Sequence, residues 1–191
     1  MIIIGVVGQI AAGKGILVSY LTEKLGFISY SLSSVVHAEI EKKGIKKYTR
    51  QMLQDMGDKL RREFGNEVLA DRIIKAINEQ KRGNVVIEGI RNQGEIELFK
   101  KDKNFVLIGI KANHKLRFKR LLSRGKKWDP KTYEEFLKVD RRDIGVGQNS
   151  SGQQVGKCLT YCDYTLTNNK SVEDLQRKVE KLLKKIIDQY V

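Results

Sequence analysis

A chain of 191 residues is long enough for one domain with a substantial core, and 40% hydrophobic against 31% charged residues excludes a disordered or fibrous chain. The single proline argues against disordered linkers, and the two cysteines, Cys158 and Cys162, do not make a disulfide framework. The formal net charge of +14 is unevenly spread: Lys115–Arg142 holds eleven Lys or Arg against four Asp or Glu, whereas Ser171–Val191 is nearly balanced.

In chain order, the first element is Ile2–Val7, a continuous β-branched run that reads as a strand buried on both faces. It is too short to cross a membrane, and it lacks the basic leader and small-residue cleavage site of a secretory signal. A cytoplasmic protein with no membrane partner is therefore expected. From Lys14 the apolar residues Leu17, Tyr20, Leu21 and Leu25 fall at helical spacing, with Gly26 placed to end the helix. Phe27–Ser31 reads as a second strand, followed by a helix to about Lys43 capped by Ser33 or Ser34. Thr49 is the expected cap of the helix on RQMLQDMGDKLRREFG, and another helix spans Glu67 to Gln80. Val85–Ile90, Phe105–Ile110 and Tyr164–Asn168 are three more strands, and Val172–Tyr190 is an amphipathic helix. Strands alternating with helices predict an α/β domain, its parallel sheet covered on both faces.

Between the first strand and the first helix stands GQIAAGKGI, with the spacing G-x-x-x-x-G-K from Gly8 to Lys14. Glycines there let successive backbone N–H groups turn inward as an anion nest, and the helix start adds its positive dipole end. Lys14 then reaches the outer phosphates of a nucleotide as a point charge, and Gly8, Gln9, Ile10, Ala11, Ala12, Gly13, Gly15 and Ile16 complete the expected cradle. The Ser or Thr that ordinarily follows the lysine and binds Mg²⁺ is missing: Gly15 and Ile16 stand in its place. Mg²⁺ would then be held by phosphates, water and a carboxylate from elsewhere, with no dedicated metal site in the protein.

IGVVGQIAAGKG resembles the opening of dephospho-coenzyme A kinases and nucleoside monophosphate kinases, with Gly5, Gly8, Gly13 and Lys14 in matching places. SLSSVV, YTRQMLQDMGDKLRREFG, VVIEGIRNQGEIE and GQQVGKCLTYCDYTLTNN resemble further blocks of such kinase-like domains, which also occur fused to deoxycytidylate deaminases. The resemblance implies a three-layer P-loop fold with a five-stranded parallel sheet, spanning residues 1–191 as one domain. Acceptor-binding helices would lie at about 33–82 and a basic lid at about 115–143. It further implies ATP and Mg²⁺ as cofactors and small-molecule nucleotides as substrates. In VIEGIR, Glu88 would hold Mg²⁺ through water or polarise the acceptor, and Arg91 would bind the acceptor's phosphate together with Arg50. Arg61 and Arg62 are expected on a solvated helix face. Arg120 and Arg124, four apart on one helical face, match a lid's arginine pair, and Arg141 or Arg142 would return from its far side. Closing arginines stabilise the charge of a loose phosphoryl-transfer transition state, worth about 10³–10⁵ in rate in related enzymes. Asn168 and Asn169 have two open readings, a turn against the adenine base or a cap of the last helix with Ser171.

His37-Ala38-Glu39 is similar to the H-x-E of zinc deaminases, but Cys158 and Cys162 have three residues between them and no preceding proline, so no metal site is expected. Both cysteines read as core residues, and Trp128 as an anchor of its own loop or a stacking surface for a base. Three functions stay open: a nucleotide kinase, a dephospho-coenzyme A kinase, and a nucleotide-binding regulatory or nucleic-acid-associated module with little turnover. The basic block favours a polyphosphate or nucleic-acid partner for the cluster, while any single lysine is ordinarily a solvated one.

Overall fold

The apolar run after Met1 becomes strand β1 (Ile3–Gly8), buried at every position, in the centre of a five-stranded sheet in the computed structural model. The structure describes residues 1–80 and 83–190; the expected boundaries at 82 and 191 lie outside the described residues. The other strands are β2 (Ile28–Ser31), β3 (Val85–Glu88), β4 (Phe105–Lys111) and β5 (Tyr164–Thr167), in the order β2-β3-β1-β4-β5. Every pairing is parallel, so each strand must be reached by a crossover, and helices make the crossovers. They are α1 (Lys14–Ser19), α2 (Leu32–Lys42), α3 (Arg50–Phe64), α4 (Val68–Gln80), α5 (Gln93–Phe99), α6 (His114–Arg124), α7 (Tyr133–Ile144), α8 (Val155–Cys158) and α9 (Val172–Tyr190).

The alternation of β1 divides the core in two. Ile3 and Val7 pack with α2, α3, α4, α5 and α8 on one face, while Ile4 and Val6 pack with α1 and α9 on the other. A third, small cluster joins Ile10 of the glycine-lysine loop to Leu121 of α6 and Phe136 of α7. Because β1 lies between β3 and β4, the connections diverge to either side of it and open a crevice at the carboxyl ends of β1 and β3. The loop after β1 and the residues after β3 meet there.

Local chemistry accounts for most element ends. Thr49 Oγ1 accepts from the Met52 N–H at 3.2 Å and starts α3. Ser33 and Ser34 do not cap α2: β2 runs directly into the helix, so both lie within its first turn, where the Ser34 hydroxyl donates back to the Ser31 carbonyl at 2.7 Å. A π-helical turn, Tyr20–Lys24, lengthens α1 before Gly26 turns the chain into β2 at φ 67°.

Arg61 overturns the solvated-face expectation. It is 2% exposed, and its Nη2 and Nε donate to Glu95 Oε1 at 2.7 and 2.9 Å. The other Glu95 oxygen accepts the backbone N–H groups of Arg91 and Asn92 at 2.7 and 3.0 Å, which closes a capping box at the start of α5. Helix α3 thus carries a buried guanidinium to the turn that presents Arg91, a contact between distant segments that charge pattern alone does not disclose. Arg62, one residue on, is exposed. Replacing Arg61 by Ala leaves the Glu95 charge buried without its partner and is expected to cost about 3–5 kcal/mol in urea unfolding. Arg62→Ala is expected to stay within about 0.5 kcal/mol in the same assay.

Candidate active site

The loop between β1 and α1 is shaped by close approach. At Gly8 a Cβ would strike the Ile110 carbonyl oxygen, and at Gly13, which sits at φ 106°, it would strike Asn168 Nδ2. Ala11 adopts φ 57°, the one non-glycine among the described residues in the left-handed region, at a steric cost of about 1–2 kcal/mol. Four of the loop's carbonyls are taken by side chains. Lys14 Nζ donates to the Gly8 and Gln9 oxygens at 2.7 and 3.0 Å, Arg117 Nη1 to Ile10 O at 3.2 Å, and Asn168 Nδ2 to Ala12 O at 2.9 Å. Among the described residues the N–H groups of Ile10, Ala11 and Gly13 have no backbone acceptor. Consecutive free N–H groups of this kind are what an anion nest requires.

The expected cradle residues divide by what their side chains do. The Ile10 side chain is buried against α6 and α7, and Ile16 packs on the α1–α9 core, so both serve the loop by anchoring it. Gly15 is exposed, and a Cβ there would meet nothing within 4 Å. Asn168 does not face a base: its amide binds Ala12 and Arg120, its N–H donates to Lys111 O and its carbonyl accepts from Arg120. Its polar groups are consumed in bracing the loop, while Ser171 Oγ accepts from the Asp174 N–H at 3.3 Å and caps α9.

Lys14, Glu88, Arg91, Arg50 and Arg124 line one cleft of about 130 Å³ above the crevice, and Asp143 of α7 joins them. Burial lowers the Lys14 pKa to about 8, opposed by the Asp143 charge and reinforced by Arg91. Arg91 Nε lies 3.2 Å from Asp143 Oδ1. Burial and then the neighbouring Arg91 cation also push the Arg50 pKa down. Arg50 Nη2 donates to Asp129 Oδ1 at 2.8 Å, and Arg124 makes a bidentate pair with the same carboxylate at 2.6 and 2.9 Å. Burial pushes the Asp129 carboxyl up, but hydrogen bonds from Arg124 and Arg50 outweigh it and hold it below its ordinary value. One buried acid therefore aims two arginines from opposite sides of the cleft.

Two expected lid arginines stand elsewhere. Arg120 turns from the cleft to donate to the carbonyls of Asn168 and Lys170, because α6 passes beside the β5–α9 turn. Arg141 is exposed beside Gln51 and Leu137, outside the cleft, and Arg142 is tied to Asp55 and Asp58 of α3. The charged residue that α7 gives to the cleft is Asp143. It follows the basic pair in DRRD, and its position three residues after the inward Asp140 was the available signal. Arg117 was also missed: 2% exposed, it pairs both nitrogens with Asp140 at 2.6 and 2.8 Å while holding Ile10.

Trp128 anchors its loop. Its carbonyl accepts from the Arg50 N–H at 2.9 Å, and its ring packs on Tyr48 and His37 with centroids 5.9 and 5.0 Å away. His37 Nδ1 is 2.8 Å from the Tyr48 hydroxyl, and burial with the Arg50 charge lowers its pKa. Cys158 is buried and Cys162 half-buried, and burial pushes both thiols up, Cys162 to about 12. Among the described residues no cluster of three or more His, Cys, Asp or Glu could hold a metal ion, and no helix is long and apolar enough to cross a membrane.

This sheet order, with a glycine-lysine loop after its central strand, places the protein in the P-loop kinase-like fold. The chain belongs to the AAA domain family, whose model matches residues 7–138, and to the UPF0200 proteins. It is 33% identical over 193 residues to UPF0200 protein PH1008 of Pyrococcus horikoshii, covering 98% of this chain and 99% of that one. Among solved structures, shikimate kinase from Bacteroides thetaiotaomicron is similar with a TM-score of 0.58 and 16% identity, covering 96% of this chain and 98% of that one. Dephospho-CoA kinase from Campylobacter jejuni is similar with a TM-score of 0.51 and 18% identity, covering 96% of each chain. At such identities the two kinases share the fold.

A phosphate ligand prefers the protonated Lys14 ammonium. Affinity for a fluorescent ATP analogue is therefore expected to be level below about pH 8 and to fall by up to about tenfold per pH unit above it. Fluorescence titrations from neutral to alkaline pH check this, and Lys14→Met is expected to abolish the dependence along with most of the binding.

Proposed function

We propose that this protein is an ATP-dependent phosphotransferase acting on a nucleoside or deoxynucleoside monophosphate or a similar small anionic acceptor. The observation that carries the reading is one cleft in which Lys14 and its anion nest face Arg50, Arg91 and Arg124. A lysine and an arginine whose charged forms are disfavoured first by burial and then by the Arg91 cation beside them make a site suited to several negative charges. In this reading the loop amides and Lys14 hold the donor's phosphates, Arg50 and Arg91 grip the anionic group of the acceptor, and Arg124 neutralises charge on the group in flight. Rate comes from in-line positioning and electrostatic stabilisation.

The residues also fit Mg²⁺. Glu88 lies at the end of β3 on the cleft, and its carboxylate has no hydrogen-bond or ion-pair partner among the described residues. Glu88 would hold the ion through water, and the ion would neutralise phosphate charge. The bare space beside Gly15 bears on a second reading, a nucleotide-binding module with little turnover, because the hydroxyl that normally completes the metal's shell is missing there.

Incubation with Mg-ATP and a panel of nucleoside monophosphates, deoxynucleotides and dephospho-coenzyme A separates the readings. Acceptor-dependent ADP formation is expected, and its absence with every acceptor favours the module. Arg124→Ala is expected to lower kcat by about 10²–10³ with a smaller change in KM for ATP; the reverse pattern would make Arg124 a ground-state binder. Gly15→Ser fits without a steric clash and is expected to tighten Mg²⁺-dependent nucleotide binding, read as a lower Kd in the presence of Mg²⁺ and no change in its absence.

A further inference from the structure

Three buried polar side-chain atoms without a hydrogen-bond partner belong to residues lining the same cleft: Arg50 Nε, Gln54 Oε1 and Asp143 Oδ2. They are not alike. Arg50 offers a donor on a cation, which suits an anion. Gln54 and Asp143 offer acceptors, and both residues are 2% exposed. The Gln54 amide nitrogen donates to Val139 O at 3.1 Å and Gln153 Oε1 at 3.3 Å, so its orientation is set and the oxygen is the atom left open. On Asp143 the Arg91 guanidinium takes Oδ1 and leaves Oδ2. A buried acceptor left unmatched costs about 1–3 kcal/mol.

The chemistry of the missing partner follows. A phosphate dianion brings lone pairs and no proton, so it would leave both acceptors unmatched and be repelled by the Asp143 carboxylate. Alcohol groups bring the two donors the cleft lacks. Asp143 lines the cleft together with Lys14, whose charged form it favours. On the β2–α2 side the cleft offers the neutral hydroxyls of Ser31 and Ser33, bonded to each other at 2.8 Å, and His37, whose Nδ1 is engaged by the Tyr48 hydroxyl at 2.8 Å. Glu88 and Asp143 are the carboxylates among its lining residues, and Glu88 is the one suited to the metal.

Resting on the phosphotransferase reading, we propose that the acceptor atom is an alcohol oxygen of a small anionic polyol, that Asp143 takes its proton, and that Gln54 holds a neighbouring hydroxyl. The alcohol O–H bond breaks as its oxygen bonds to the γ-phosphorus of ATP. The bond from that phosphorus to the β,γ-bridging oxygen breaks, ADP leaves with the electron pair, and the proton resides on Asp143 Oδ2. Arg91 holds the other carboxylate oxygen and so aims Oδ2, and Arg50 carries the acceptor's own anionic group.

The test uses wild-type protein, Mg-ATP and acceptors bearing both a phosphate and free hydroxyls: nucleoside monophosphates, sugar phosphates and dephospho-coenzyme A. Products are read by ³¹P NMR. A new phosphate monoester signal without phosphorus–phosphorus coupling is expected. A new phosphoanhydride doublet beyond the two that ADP itself gives would overturn the proposal while leaving the phosphotransferase reading standing, and no acceptor-dependent ADP from any compound would overturn both. Asp143→Asn keeps the shape of the side chain and is expected to lose about 10²–10⁴ in kcat with the Kd for a fluorescent ATP analogue unchanged. A kcat within a few-fold of wild type, or a loss of ATP affinity matching the loss of rate, would remove Asp143 from this role. Gln54→Leu is expected to raise KM for the acceptor more than it lowers kcat; an unchanged KM would count against the second hydroxyl. The product spectrum needs only the wild-type chain, so the proposal stays open to refutation if a variant does not fold.

Discussion

A backbone turn can hold an anion only if its carbonyls are kept out of the way, and here four of them are claimed by side chains. Gly8 and Gln9 are held by Lys14, Ile10 by Arg117, and Ala12 by Asn168. The last two come from beyond β4 and β5, so the nest exists only once the sheet has assembled. Arg117 also ties α6 to α7 through Asp140, and the Ile10 side chain is clamped between the same helices. The loop and the basic segment over it therefore behave as one packed unit, with little freedom for either to shift alone.

The cost of this arrangement is electrostatic. Lys14, Arg50, Arg91 and Arg124 share a small cleft, and burial, reinforced by the Arg91 cation, acts against the charged forms of Lys14 and Arg50. Asp129 and Asp143 offset part of the repulsion, each pairing with arginine: Asp129 with Arg50 and Arg124, Asp143 with Arg91. Such pairs contribute little net stability when buried, since desolvation takes back most of the attraction. Their value is geometric: they point each guanidinium at the space a ligand would fill. Stability is supplied elsewhere, by the two apolar cores on the faces of the sheet, while the Arg61–Glu95 pair fastens α3 to the turn before α5.

That division explains which residues were legible. The glycine-lysine loop could be read because every part of its signal is local: a buried strand, glycines where a side chain would collide, and a helix start. Glu88 and Arg91 follow a strand whose end is fixed by its apolar run, so their place at the sheet edge also followed. The arginines of the basic segment were read less well. Arg120 and Arg124 lie on one helical face, yet a single turn of helix separates a carbonyl-rich turn from the cleft, and the two side chains go to different neighbours. Arg61 was taken for a surface residue because nothing nearby in the chain reveals that Glu95 lies buried beneath it.

From the chain alone came the α/β class, the order and approximate limits of the elements, and the glycine-lysine loop between the central strand and its helix, since hydrophobic period and glycine placement act over a few residues and need no distant partner. The tertiary fold decided which charges face the cleft and which brace the frame. Asp143, Asp129 and Arg117 gain their roles from neighbours tens of residues away, and a long polar side chain takes whichever buried partner the packing of helices leaves within reach.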